Sequence, residues 1–317
     1  MSERDPAVDR DRREGLLALA AAMRPELHRY CARLMGSVID GEDVVQDTFA
    51  RAFVALNELG EVPQLRPWLF RVAHNRALDL LRSRAIRAAE PIEAALEIAD
   101  DTKADPVEML MRRQAIQTAV SRFAELPLLQ RSVVILRDVL DEPLAEIAAL
   151  LGITVDAVKG HLARGRARLR EVSAQASSAP DARIASAAVV RYATLFNQRD
   201  WDGLRALLAD DVRLHQSLHA PRSGAAEVGM FFTIYAKSDR VWLTPAWLDG
   251  REVIAVFESH ADQKPHHFMW LEWREGQISF IRDYRYVSYV TDDAELVLAK
   301  DARSFGRAPG TEERARI

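Results

Sequence analysis

A chain of 317 residues, 49% hydrophobic and 28% charged, is longer than one hydrophobic core usually grows and too apolar to stay disordered, so two or three domains are expected. Its 43 Lys and Arg against 47 Asp and Glu leave a net charge of −4, which excludes a polycation that coats nucleic acid or membrane indiscriminately but leaves local patches open. The single cysteine, Cys31, excludes a disulfide scaffold and a cysteine-based zinc cluster.

Residues 1–14 carry mixed charges without an apolar run, and the apolar stretch 16–23 falls short of the roughly 20 residues a membrane helix needs. A soluble, cytoplasmic protein without a secretion signal is expected. Residues 40–53, DGEDVVQDTFARAF, put Val44, Val45, Thr48, Phe49, Ala52 and Phe53 on one helical face. Glu42, Asp43, Gln46, Asp47 and Arg51 take most of the rest, and on spacing alone this is an ordinary solvated face.

Residues 64–84, QLRPWLFRVAHNRALDLLRSR, start with Pro67 near the first turn, where a missing N–H is tolerated. Leu69, Val72, Ala73, Leu78 and Leu81 form an apolar stripe, while Arg66, Arg71, Arg76, Arg82 and Arg84 crowd the polar surface around Trp68, Phe70, His74 and Asn75. Cations among rings suit a nucleic-acid strand, since phosphates take the charge and bases stack. The competing role for Trp68 and Phe70 is to anchor the helix to the core. Charge then alternates in blocks: six arginines and one acid over 62–87, seven acids and one lysine over 88–108, and five cations without an acid over 159–170.

Residues 144–151, LAEIAALL, form a short amphipathic helix that Gly152 ends. Thr154 is a natural N-cap for a second helix over 155–172. Helix, tight glycine turn and helix is the helix-turn-helix arrangement, whose second helix enters the major groove. Here that helix carries Lys159, His161, Arg164, Arg166, Arg168 and Arg170 around Val158, Leu162 and Leu169.

After the small-residue linker AQASSAP (174–180) the character changes, with five of six tryptophans and five of six tyrosines beyond residue 180. Helices are expected over 185–208 and 223–235. Strands are expected over 209–217, 241–248, 252–259, 267–273 and 277–290, in an antiparallel sheet turned by Asp249-Gly250 and Glu275-Gly276. In the last strand Phe280, Arg282, Tyr284 and Tyr286 share one face and Ile281, Asp283, Arg285 and Val287 the other; one of them lines the interior.

Together, EDVVQDTFARAF, PWLFRVAHNRALDLLRSR and LPLLQRSVVILRDVLDEPLAEIAALLGITVDAVKGHLARGRARLR resemble, in order and separation, the second and fourth regions of bacterial sigma factors of the extracytoplasmic-function (ECF) class, over residues 12–173. The resemblance implies a multidomain protein: an all-α region 2 at 12–87, an acidic connector at 88–113, and an all-α region 4 with its helix-turn-helix at 114–173. It implies that Asp43, Gln46, Asp47, Phe49 and Arg51 bind the clamp of core RNA polymerase. Asn57, Arg66, Trp68, Arg71, Asn75, Arg76 and Arg82 would open and hold the −10 promoter element, and Lys159, His161, Arg164, Arg166 and Arg168 would read the −35 element. The connector would thread the channel for nascent RNA, with a reach on the order of 80 Å at about 3.3 Å per residue. Promoter DNA, core polymerase and an anti-sigma protein are the implied partners, with no membrane.

Beyond a linker at 174–183, residues 184–298 resemble the SnoaL-like α+β cone, followed by a tail at 299–317. Relatives of that fold include isomerases and cyclases that use an Asp–His pair, so His215, His266, His267, Asp283 and Tyr284 are candidates for a pocket in the cone. The implied role is regulatory, with no enzyme activity, cofactor or metal. Two rivals stand beside it. A one-component, ligand-sensing regulator leaves residues 43–84 unexplained. An enzyme requires a carboxylate and an imidazole within hydrogen-bond reach.

Overall fold

The computed structural model describes residues 6–58, 64–88, 106–175, 183–237, 240–259 and 262–300. They divide into two compact units, Met1–Ser177 and Ser178–Ile317.

The first unit is helical. Its first three helices are α1 (Pro6–Met35), α2 (Val38–Glu58) and α3 (Leu65–Ala88). Then come α4 (Pro106–Gln117), a 3₁₀ turn (Val120–Glu125), and α5 (Leu128–Val134), which widens into a π turn (Ile135–Val139). Helices α6 (Leu144–Leu151) and α7 (Val155–Gln175) close the unit. The acidic connector expected at 88–113 falls mostly outside the described residues, and its last part is helical because α4 starts at Pro106.

One apolar core runs through both halves of this unit. Leu27, Tyr30, Cys31 and Leu34 of α1 pack in the same cluster as Phe123, Val133, Val134 and Ile135. Buried Arg131 fastens the halves from inside, donating to the carbonyls of Leu34 (2.7 Å), Ala124 (2.6 Å) and Leu126 (2.9 Å). The solvated face expected on α2 holds only in part. Glu42 is fully buried, because Arg24 of α1 lies 2.6 Å from it and neutralises its charge.

The second unit opens with α8 (Ala187–Asn197), α9 (Trp201–Arg205), β1 (Leu208–Gln216) and β2 (Arg222–Ser223). Two short helices follow, α10 (Ala225–Gly229) and α11 (Phe232–Ala236), where one helix was expected. The strands β3 (Trp242–Leu248), β4 (Arg251–Phe257), β5 (His267–Arg274), β6 (Gln277–Asp283) and β7 (Leu296–Leu298) complete a sheet ordered β2-β1-β6-β5-β4-β3-β7. The expected turns are present: Asp249 and Gly250, like Glu275 and Gly276, all take the left-handed φ that a tight right-twisted hairpin needs.

The sheet corrects the antiparallel expectation. β1 pairs in parallel with β6, with Gln216 opposite Asp283, because the β3–β6 meander returns the chain beside its first strand in the same direction. The last expected strand, 277–290, ends at Asp283. The inner sheet face, carrying Leu214, Ile254, Val256, Met269 and Ile281, packs with Val189, Tyr192, Phe196, Phe232 and Tyr235 from the helices.

Candidate nucleic-acid interface

Local chemistry builds the helix-turn-helix. Gly152 takes φ 69° and ends α6, and the Thr154 hydroxyl accepts from the Ala157 N–H at 3.1 Å to start α7. Val158 and Leu169 seat α7 on the core. Of its cations, Arg168 is exposed and pairs with Glu171 at 3.2 Å, and Lys159 pairs with Asp156 at 3.3 Å. His161 is buried, and burial together with the Arg164 charge lowers its pKa. Arg166 differs from the others. Its Nε and Nη2 donate to the two carboxylate oxygens of Asp138, at 2.9 and 2.6 Å, and Asp138 is buried.

On α3, Arg71 and Asn75 are exposed and Arg82 lies 3.7 Å from Asp79. Trp68 packs against Ala52 and Leu69, the anchoring role. Three arginines of this helix are engaged within the unit. Arg66 bonds Glu26 at 2.6 Å and also Glu142, and these two carboxylates raise its pKa. Arg76 donates to Asp47 at 2.7 Å, and Arg84 to Asp40 at 2.7 Å. A polymerase-binding candidate and a −10 candidate, Asp47 and Arg76, therefore hold each other. Asp43, Gln46 and Phe49 are half-buried, Phe49 lying under the Arg24 guanidinium (4.7 Å to its ring centre), and Arg51 is exposed. Asn57 lies in the last turn of α2, and its side chain and residues 59–63 fall outside the described residues.

A recess of about 220 Å³ lies where α3 meets the helix-turn-helix, lined by Arg66, Phe70, Arg71, Glu142, Glu146 and Ile147 among others. The acids that engage the arginines, Glu26, Asp138 and Glu142, carry no local sequence signal, since their partners lie 28 to 76 residues away.

Inside the second unit, three of the five pocket candidates come together. His267 Nε2 lies 3.2 Å from Asp283, which also accepts from Gln216 at 2.8 Å. The Tyr235 hydroxyl lies 3.2 Å from the same ring nitrogen, and His266 Nδ1 lies 3.0 Å from His267 Nδ1. All but His266 are buried. The buried Tyr192 hydroxyl has no hydrogen-bond partner, and burial and then the Asp283 charge raise its pKa. Strand alternation puts His215 on the opposite face, against Phe280, and Tyr284, just past the end of β6, packs against Phe268. Among the described residues no group of His, Cys, Asp and Glu is placed to hold a metal ion.

This architecture defines a class: a helix-turn-helix protein whose basic second helix shares a core with a second arginine-bearing helical bundle, followed by an α+β domain. Residues 19–86 match sigma-70 region 2, 116–169 match sigma-70 region 4, and 189–294 match a SnoaL-like domain. Over 228 residues the chain is 34% identical to the ECF RNA polymerase sigma factor SigG of Mycobacterium tuberculosis, covering 64% of this chain and 61% of SigG. Over 137 residues it is 35% identical to the RNA polymerase sigma factor CnrH of Cupriavidus metallidurans, covering 41% of this chain and 71% of CnrH. The solved structure of the M. tuberculosis ECF sigma factor SigJ covers 87% of this chain and 98% of its own, at 20% identity and a TM-score of 0.33. The chain belongs to the ECF family of RNA polymerase sigma factors. Among the described residues no helix is long and apolar enough to cross a membrane.

Proposed function

We propose that the protein is a promoter-specificity subunit that acts in the cytoplasm, directs core RNA polymerase to −10 and −35 elements and starts transcription. In this reading Asp43, Gln46, Asp47, Phe49 and Arg51 of α2 meet the polymerase clamp. Asn57, Arg66, Trp68, Arg71, Asn75, Arg76 and Arg82 serve the −10 element. Lys159, Arg164 and Arg168 of α7 face the −35 duplex, with His161 between them. The observation that carries the reading is the pairing of two arginine-bearing helices, α3 and α7, in one unit.

The shared core adds a requirement. With α3 against α6 and one core through both halves, the free chain holds the two helices close together, whereas the two promoter elements of this reading lie more than a turn of duplex, about 34 Å, apart. The reading therefore makes the packed form a closed state that opens on core polymerase. The relative CnrH has been solved in complex with the cytosolic domain of CnrY, and we extend that class of partner, an anti-sigma protein, to this chain.

Footprinting tests the proposal. A sigma factor protects both elements only when core polymerase is present, whereas a one-component regulator protects its operator alone. The second unit serves in this reading as a regulatory module and not as an enzyme. Ending the chain after Gln175 then changes transcript yield while the first unit stays folded, and an unchanged yield would refute the modulating role.

The His267–Asp283 contact at 3.2 Å favours a second reading of that unit, as a small-molecule site with acid–base capacity. Its test is direct: a ligand of the cone should lose affinity in D283N.

A further inference from the structure

Asp138 lies outside every surface assigned above, yet it holds one of the arginines expected to read DNA. We propose that Asp138 and Arg166 are a positioning pair: they fix the pose of α7 on duplex DNA and so set −35 discrimination, while Arg166 itself touches neither base nor phosphate. The proposal rests on the reading that α7 meets DNA.

The fork geometry is the first ground. Arg166 spends its Nε and Nη2 edge on Asp138, with both bonds at or below 2.9 Å. That edge is one a bidentate base contact would use. Side-chain exposure is 0% for Asp138 and 15% for Arg166, so the pair is part of the fold's interior.

The backbone around Asp138 is the second ground. It sits in the π turn Ile135–Val139, where the Leu140 N–H reaches the Ile135 carbonyl at 3.1 Å. Asp141 then takes φ 62° and the Glu142 N–H bonds the Leu136 carbonyl at 2.9 Å, ending the helix. A widened turn is an uncommon conformation, found mostly at functional places. Here it presents a carboxylate inward to another helix.

The third ground is the seat itself. At Gly165, one residue before Arg166, an added Cβ would stand 2.6 Å from Val134 Cγ2 and 3.1 Å from the Gln130 carbonyl. Helix α7 thus touches α5 nearly backbone to backbone and is pinned by an ion pair at the next residue. Two adjacent anchors fix both its roll and its axial position. At 3.6 residues per turn Arg164 and Arg168 lie about 160° around the helix from Arg166, on the side turned away from Asp138. A slip of the anchor would swing both.

The test uses the full chain reconstituted with core polymerase. Its probes are a −35 element selected by that holoenzyme from a randomised library and a scrambled counterpart, with Kd measured across salt concentrations. R166Q, R166K and D138N are each expected to lower the selected-to-scrambled ratio about tenfold, within the range for one misplaced bidentate base contact. All three should leave the salt slope unchanged, whereas R164Q should reduce it by about 0.9, the value for one lost phosphate contact. R166K is informative because lysine keeps the charge and loses the fork. Retained discrimination in R166K, or a slope reduced in R166Q as much as in R164Q, overturns the proposal. If R164Q and R168Q both leave the slope unmoved, α7 is not on DNA, and that reading and the proposal fall together.

Should a single variant fail to fold, D138L/R166M supplies an apolar pair of similar bulk. It is expected to lose less discrimination than R166Q, and an equal loss overturns the pairing role.

Discussion

Glu142 closes the first unit over the very arginine that the −10 strand would need. Arg66 donates to Glu142 and, at 2.6 Å, to Glu26, and stacks over Phe70 at 5.0 Å. The side chain of Arg66 is 39% exposed and that of Glu142 12%, so solvent screens the contact and its contribution is discounted to about 0.5–1 kcal/mol. If only the open form binds core polymerase, the apparent Kd equals the intrinsic value divided by the open fraction. Glu142→Gln should then raise the open fraction and tighten binding about two- to fivefold. Glu142→Arg, which sets like charges together, should tighten it further, and R66E/E142R should reverse that only in part, because the carboxylate placed at position 66 also faces Glu26. Titration of the fluorescently labelled chain with core polymerase reads all three. Unchanged affinity in both E142Q and E142R would refute the idea that this clasp holds the unit closed.

Acid should weaken the first unit through His74. Burial and the Arg82 charge lower His74 to about 4, so the folded imidazole stays neutral while the unfolded chain takes up a proton below about 6.5. This contribution is present in full above pH 6.5 and is lost as pH falls towards 4, by up to about 3 kcal/mol, and H74Q should flatten the dependence in denaturant melts at pH 4.5 and 7.5. D43N/D47N should weaken core binding by roughly two- to fivefold, the scale of one exposed ion pair, and an unmoved Kd would remove α2 from the interface. D283N should destabilise the second unit by about 1–3 kcal/mol, because Asp283 is buried and faces both Gln216 and His267; a melting temperature equal to wild type would contradict that burial.

What the sequence made legible is local. Gly152 and Thr154 declare a helix end and a helix start within three residues, and the structure has both. Asp249-Gly250 and Glu275-Gly276 likewise name their turns, since few other residues tolerate that φ. Contacts across the chain were not legible. Glu42 has the spacing of a solvated residue and is buried only because Arg24, 18 residues earlier, lies against it. Arg166 is one of five cations in a row of alternating small residues, and nothing in that row separates the arginine that turns inward from those that turn out.

The cone shows the same limit. His215 and Gln216 are neighbours on one strand, yet alternation sends only Gln216 to the interior. The parallel pairing that sets Gln216 against Asp283 joins strands 67 residues apart. His267 reaches Asp283 because β5 pairs with β6 at Met269 and Asp283, a register that residue types alone do not state.

Run-off transcription with purified core polymerase bears most directly on the whole account. The full-length chain should convert inactive core into an enzyme that initiates at a defined start site downstream of paired −35 and −10 elements. Failure to yield such a transcript from any promoter-bearing template, by a preparation that is folded and binds core, would contradict it.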